Sequence, residues 1–392
     1  MLNPSTLPSF QRAIADAGID GWLLYDFRNC NPIAQSVAGV SGHITRRFLV
    51  YIPRQGRPVA ITHAIEQTIW TGWPNEFGKV VYASWGALEE QIATLVRGQK
   101  IAMEYSPGDA VPVVDRIPAG VLEMVRAAGA EVVSSGDLVT TFYAIWTPEG
   151  LASHRRAAEH VGRIAREAMT VAGERVRAGQ GLTEYELQCW ISDAFARVGL
   201  EADHAPNVSV GANAANPHYQ PSAASSKVIT MGNTLLIDLW ATEPGGIYAD
   251  QTYMGALGAP SDRALDIWSA VRDARDAAIA VARNLANTGT RARGAVIDDV
   301  ARTVIDARGY GAYFFHRTGH SIDARDLHGS GPNLDNLESR EERLLLPGVG
   351  FSIEPGVYIA GEIGVRSEVN AYWGDGELIV TPTEYQTDLF LL

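Results

Sequence analysis

The chain has 392 residues and 46% hydrophobic content, enough for two ordinary domains with full cores. It is acidic, with 32 Lys+Arg against 45 Asp+Glu and a formal charge of −13, and no basic cluster interrupts that balance. This argues against nucleic acid or an anionic membrane as a main partner. No apolar run approaches a membrane span. Cys30 and Cys189 stand alone without a CxxC pattern, as expected of inert thiols in a reducing compartment. The first twenty residues lack a basic start and a long apolar core, so a secretory signal is not expected. A cytoplasmic enzyme is the expectation.

Residues 1 to about 145 alternate short helical and strand patterns. Leu7 to Ala17 reads as a helix ended by Gly18, and DGWLLY as a strand. RRFLVYIP and RPVAITH read as strands joined by a turn at Gly56. LEEQIATLV and VLEMVRAAG read as helices, QKIAMEY and AEVVSSG as strands, which together make a compact α/β unit. A boundary falls at Trp146-Thr147-Pro148-Glu149. Thr147 suits an N-cap, Pro148 the first helical position, and Glu149 the positive end of the helix dipole.

The remainder carries a faint internal repeat. A long helix, a turn at AGQGLTEYEL, a second helix and Gly199-Leu200 are echoed by a long helix from about Asp262, TGTRARGAVI, another helix and Gly309-Tyr310. Gly179 and Gly289 are 110 residues apart, as are Gly199 and Gly309, so a duplicated α-α-β unit is expected.

Each copy runs into segments rich in candidate metal ligands. Asp238 in TLLIDLW and Asp250 in IYADQTYMG lie in apolar, β-rich runs, where an ionised carboxylate is costly without a partner. A strong turn signal, Thr242 to Gly246, separates them. A hairpin centred on Pro244 would oppose the two aspartates directly on one face, and their even spacing demands an odd-length loop. Two such carboxylates repel unless cations sit between them. His320 in HRTGHSID, Glu354 in FSIEPGVY and Glu368 in GVRSEVN complete the set. One imidazole among four carboxylates suits a hard, oxygen-rich dinuclear site.

In this order the motifs resemble the pita-bread metallopeptidases, specifically the Xaa-Pro branch of prolidase and aminopeptidase P. The resemblance covers nearly the whole chain. It implies a creatinase-type N-terminal α/β domain over 1–146 and an α+β pita-bread catalytic domain over 147–392 with pseudo-twofold α-α-β repeats. VSVGANAANPHYQPS is similar to the family segment with a catalytic histidine, here His218. Asp250 and Glu368 would bridge two divalent ions, Mn²⁺ first with Co²⁺ or Zn²⁺ as alternatives. Asp238 would complete one ion, and His320 with Glu354 the other. Glu354 would also serve as general base, and His218 and His328 would bind the substrate backbone or the oxyanion.

This sequence departs from the family pattern in four places. The Asp238–Asp250 spacing is one residue longer, and Asp323 stands where a glycine is usual. His328 lies eight rather than seven residues after His320 and is followed by Gly329, and Val369 replaces an acid.

Arg366, two residues before Glu368 and on the same strand face, is expected to pair a substrate's C-terminal carboxylate, or alternatively a ligand carboxylate. His316 lacks the glutamate of a helical zinc motif and is assigned to the substrate shell or the scaffold. His43, His63, His154, His160 and His204 are assigned to surface or core.

The implied reaction is hydrolysis of Xaa-Pro bonds in small peptides with proline second, most simply dipeptides, by a homodimer. Alternatives are an aminopeptidase P acting on longer peptides and a binding protein of the same fold without hydrolysis.

Overall fold

The computed structural model describes residues 1–392, which divide into two compact units, Met1–Tyr143 and Ala144–Leu392. In the first unit the elements are α1 (Leu7–Asp16), β1 (Gly21–Asp26), α2 (Pro32–Ala38), β2 (Phe48–Pro53), β3 (Val59–His63), β4 (Gly78–Tyr82), α3 (Trp85–Val96), β5 (Lys100–Met103), α4 (Ala119–Ala127), β6 (Glu131–Ser134) and α5 (Gly136–Val139). The strands form one mixed sheet in the order β4-β3-β2-β1-β5-β6. Alternate residues feed opposite faces: Trp22, Leu24, Phe48 and Val50 pack with α1 and α2, while Leu23, Tyr25, Leu49 and Tyr51 pack with α3 and α4. With both faces covered, β1 is buried at all six positions, which is why its first five residues read as an unbroken apolar run.

Three elements escape the sequence pattern, the four-residue α5 among them. The seven-residue α2 is defined by its ends, Asn31 capping Ala34 N–H and Gly39 closing in the left-handed conformation, rather than by periodicity. Edge strand β4 exposes alternate residues and carries too few apolar ones to stand out.

The second unit opens with α6 (Pro148–Arg177), where the Thr147 hydroxyl accepts the Gly150 N–H at 3.0 Å and Pro148 occupies the first turn. Then follow α7 (Glu184–Arg197), β7 (Asn207–Val210), β8 (Thr234–Ala241), β9 (Ala249–Ala256), α8 (Asp262–Asn287), α9 (Gly294–Ala307), β10 (Ser321–Ile322), β11 (Gly350–Ile353), β12 (Gly356–Ile359), β13 (Ile363–Arg366), β14 (Val369–Trp373), β15 (Leu378–Thr381) and β16 (Phe390–Leu391). The duplication is plain: α7 and α9 each have 14 residues, and Gly179, Gly289, Gly199 and Gly309 all adopt left-handed conformations at corresponding helix ends. Each copy has its own core, one from α6 and α7 on β7–β9, the other from α8 and α9 on β11–β15. Alanine-rich faces of α6 and α8 lie on these sheets.

Two hairpins frame the site. β8 and β9 pair antiparallel beside β7 and β16. β11 pairs with β14 (Ile353↔Val369), and β12 with β13 (Gly356↔Arg366), in one continuous register. That register places Glu354 and Glu368 across from each other where the long hairpin breaks, and Pro355, which has no N–H to give, sits in the break.

Candidate metal centre and substrate cavity

A cavity of about 650 Å³ receives all five expected ligands, together with His218, His328 and Arg366. In the β8–β9 hairpin Asp238 lies opposite Thr252, and Asp250 opposite Trp240. The two carboxylates share a face, but on the diagonal rather than in the direct opposition expected from a centre at Pro244. The ladder is centred one residue later, because Glu243–Gly246 makes a tight turn with Pro244 and Gly245 in the middle. The Gly246 N–H donates to Glu243 O at 2.8 Å, and Gly245 has φ 71°. The loop between the last paired residues, 242–248, has an odd number of residues, as the even spacing requires. Diagonal placement also relieves the repulsion of two directly opposed carboxylates.

His320 enters just before β10. Its Nδ1–H donates to Ser321 O at 3.0 Å, and its Nε2 points at the carboxylates, 3.3 Å from Asp250 and 3.5 Å from Glu354. Its backbone N–H donates to Ser352 Oγ, whose hydroxyl donates to Glu354 Oε1, both at 2.9 Å. The glycine of HRTGH is sterically required: a Cβ at Gly319 would lie 1.9 Å from Ser352 O. Glu368 accepts the Thr252 hydroxyl at 2.8 Å.

The electrostatics are those of a cation site. Ligand atoms of Asp250, His320 and Glu368 lie within 4.8 Å of one another. Asp250 Oδ1 and Glu368 Oε1 are buried without any hydrogen-bond partner. Burial, reinforced by the charges of Asp250, Glu354 and Asp238, pushes Glu368 well above the ordinary carboxylate range. Burial lifts Asp238 to about 6, Arg366 opposing the rise while Asp250 and Glu354 add to it. For His320, the hydrogen bond to Asp250 and the charge of Glu354 outweigh burial and hold the imidazole at about 9. Burial would raise Glu354 too, but the positive charges of His320 and Arg366 hold it low. Two carboxylates that each keep an orphaned oxygen, clustered with one imidazole, fit a hard divalent ion.

Arg366 departs from the carboxylate-binding expectation. Its guanidinium pairs with Asp238, donates to Thr252 Oγ1 at 2.8 Å, and is nearly fully buried. The ligand-carboxylate alternative is the arrangement found. His316 does not line the cavity: its Nδ1 bonds Arg317 O at 2.7 Å and its Nε2 the Tyr358 hydroxyl at 2.9 Å. Burial accordingly depresses its pKa.

The altered spacing at His328 is absorbed locally. Asp323, where glycine is usual, is buried and accepts the N–H groups of Arg325, Asp326 and Ser330 at 2.8–3.1 Å. The loop wound on this carboxylate brings the His328 ring to 4.3 Å from that of His320.

Other cavity residues went unread in the sequence. Trp240 lies two positions after Asp238 on the same strand face, a period-two signal that could have found it, and its indole N–H donates to Asp203 at 2.7 Å. His204, assigned to surface or core, lines the cavity and pairs with Asp203 at 3.0 Å. Its loop is brought back by the Glu201–Thr242 bridge, a long-range contact with no local signal.

Two α-α-β halves around four carboxylates and one imidazole, with an α/β domain ahead of them, define a pita-bread protein. Residues 154–372 match the model of metallopeptidase family M24, and the chain belongs to that family. Over 161 residues it is 37% identical to an Xaa-Pro dipeptidase of Lactobacillus helveticus, a stretch covering 41% of this chain and 40% of that one. The chain thus spans about two fifths of the length of the curated dipeptidases it matches. Its fold is similar to that of dipeptidase PepE from Mycobacterium ulcerans, with TM-score 0.75 at 22% identity, covering 99% of this chain and 97% of that one. It is also similar to recombinant prolidase from Thermococcus sibiricus, with TM-score 0.66 at 24% identity, covering 100% of both chains. No helix is long and apolar enough to cross a membrane.

Proposed function

We propose that this chain hydrolyses Xaa-Pro peptide bonds, in dipeptides first, using a dinuclear metal centre. The observation that carries the reading is the pair of orphaned carboxylate oxygens on Asp250 and Glu368, buried around His320 in a cavity of peptide size. Asp238, Asp250, His320, Glu354 and Glu368 would hold two divalent ions, Mn²⁺ the expected one. When bound, they supply Lewis acidity that activates water and polarises a carbonyl. Glu354 accepts the proton of the attacking water and returns it to the leaving proline nitrogen. His218 and His328 face the same cavity and hold the substrate backbone or the developing oxyanion. Arg366 keeps Asp238 ionised and oriented, with Tyr358 and His316 behind it. A homodimer in the cytoplasm completes the reading.

One observation favours an aminopeptidase P activity on longer peptides. Arg366 is the only guanidinium or ammonium side chain lining the cavity, and it is spent on Asp238. A dipeptide's carboxylate would then be met by the imidazoles of His204, His218 and His328.

Assays of the Mn²⁺-, Co²⁺- and Zn²⁺-reconstituted protein on Ala-Pro and Ala-Pro-Ala separate these outcomes. Faster turnover of Ala-Pro supports the dipeptidase. Preference for Ala-Pro-Ala supports the aminopeptidase. No cleavage of either with any of the three metals sinks both.

A further inference from the structure

We propose that Glu184 is the positioning residue for His218. Glu184 lies in the first turn of α7 and is fully buried, yet it forms no salt bridge. All its hydrogen-bond donors come from residues 210–227. Val210 N–H reaches Oε1 at 2.8 Å, and Asn213 Nδ2 reaches both oxygens at 3.0 Å. The Tyr219 hydroxyl and the Lys227 N–H reach Oε2 at 2.7 and 2.8 Å. Glu184 N–H in turn donates to Lys227 O at 3.0 Å.

These donors bracket His218 on both sides. His218 itself is exposed in the cavity, its backbone N–H donating to Asn216 Oδ1 at 3.1 Å. The aim of its ring therefore rests on the path of the backbone around it. Two neutral contacts complete the frame, Asn207 Nδ2 to Pro217 O at 3.2 Å and Gln188 Nε2 to Gln220 Oε1 at 3.1 Å. Helix capping does not account for Glu184. The capping box of α7 is made by Thr183 and Glu186, through bonds of 3.2 and 2.8 Å.

The second half of the molecule uses the same device one turn further along its helix. Asp298 on α9 is fully buried and, unlike Glu184, is ion-paired, with Arg302 at 2.7 Å; it also accepts Thr318 N–H at 2.9 Å, Thr318 Oγ1–H at 2.6 Å and Asn336 N–H at 2.8 Å, around the segment bearing His320 and His328. Each half spends a buried carboxylate of its second helix on the segment that brings histidine to the cavity. Glu184, which has no ion-pair partner, offsets its desolvation only by fixing several donors at once.

The inference rests on the proposed hydrolysis, and its test separates the two. Glu184→Gln and the milder Tyr219→Phe are made in the parent and in a His218→Ala background, with metal content and circular dichroism recorded. Glu184→Gln is expected to lower kcat on the order of 100-fold, as a misplaced group does. Tyr219→Phe is expected to lower it about fivefold, the equivalent of one hydrogen bond. Neither should change metal content, and neither should lose activity further once His218 is alanine. Equal losses in both backgrounds, or an unaffected Tyr219→Phe enzyme, would overturn the assignment. If the parent turns over no Xaa-Pro substrate, the functional reading falls. The His218 imidazole resonances of Tyr219→Phe then decide positioning by whether they shift and broaden.

Discussion

The molecule buries carboxylates in two different ways. In the first unit Glu104 is fully buried and both its oxygens are satisfied. Trp22 Nε1 and Ser135 Oγ donate to one at 2.6 and 3.2 Å, and Asn31 Nδ2 to the other at 2.8 Å. Its donors are all neutral, so burial simply lifts its pKa to about 7. In the second unit Asp250 and Glu368 each keep one oxygen with no partner at all, and both cluster with an imidazole. The first arrangement closes on itself and suits scaffolding. The second is incomplete without a cation, so it is the one that marks function.

That contrast can be broken first at the incomplete set. Asp250→Asn or Glu368→Gln should lower kcat/KM at least ~1000-fold, because several kcal/mol of metal-derived stabilisation disappear. The bound metal, measured by elemental analysis, should fall in parallel, and a variant with full activity would refute the assignment. Arg366→Ala removes the one cation already beside Asp238. It should cost about 10–100-fold, the usual range for a group that orients a ligand, with partial recovery in Arg366→Lys. A rise in KM for Ala-Pro alone would instead restore Arg366 as the carboxylate fork.

Metal removal sharpens the comparison at the level of stability. At an ion concentration 100 times Kd, binding is worth about 3 kcal/mol, all of it in the unit that holds the ion. Chelation should therefore raise amide exchange in β8, β9, β11 and β14 while leaving β1, β2 and β5 protected. Equal deprotection of both units would contradict the assignment.

The smallest expected effect on activity is that of Glu104→Gln, which should leave Xaa-Pro turnover unchanged. Its signature is pH dependence. Glu104 has its folded pKa raised above the unfolded value, so the folded state binds the extra proton. Stability is greatest below the ordinary glutamate range and falls as pH rises toward about 7. The loss is on the order of 3 kcal/mol for a fully buried group shifted this far. Urea midpoints at pH 5 and pH 8 should differ for the parent, and the difference should shrink in Glu104→Gln. An unchanged difference would show that another group carries it.

Much of the site was legible because its information is local. Asp238 and Asp250 stood out as acids in apolar strand runs, and their even spacing places them on one face in any register with an odd-length loop. The paired glycines marked the duplication because a left-handed helix end selects glycine. The shift from Pro244 to Gly245 as hairpin centre was not legible, because it depends on which residues of a longer loop pair. Trp240 was missed although the period-two rule covers it.

The amino-acid sequence by itself determined which chemical groups are present and in what order: four carboxylates and an imidazole on strand-like segments, two further histidines on loops, and no basic surface. Their burial cost is a local property of residue type and neighbourhood. Only the tertiary structure decided how each charge is answered. Arg366 reaches Asp238 through the packing of β13 against β8 and β9, His316 is drawn away to Tyr358, and Glu184 gathers donors from a loop far along the chain. Coulomb and hydrogen-bond energies act over a few ångströms in space, and chain folding, not sequence distance, sets those separations.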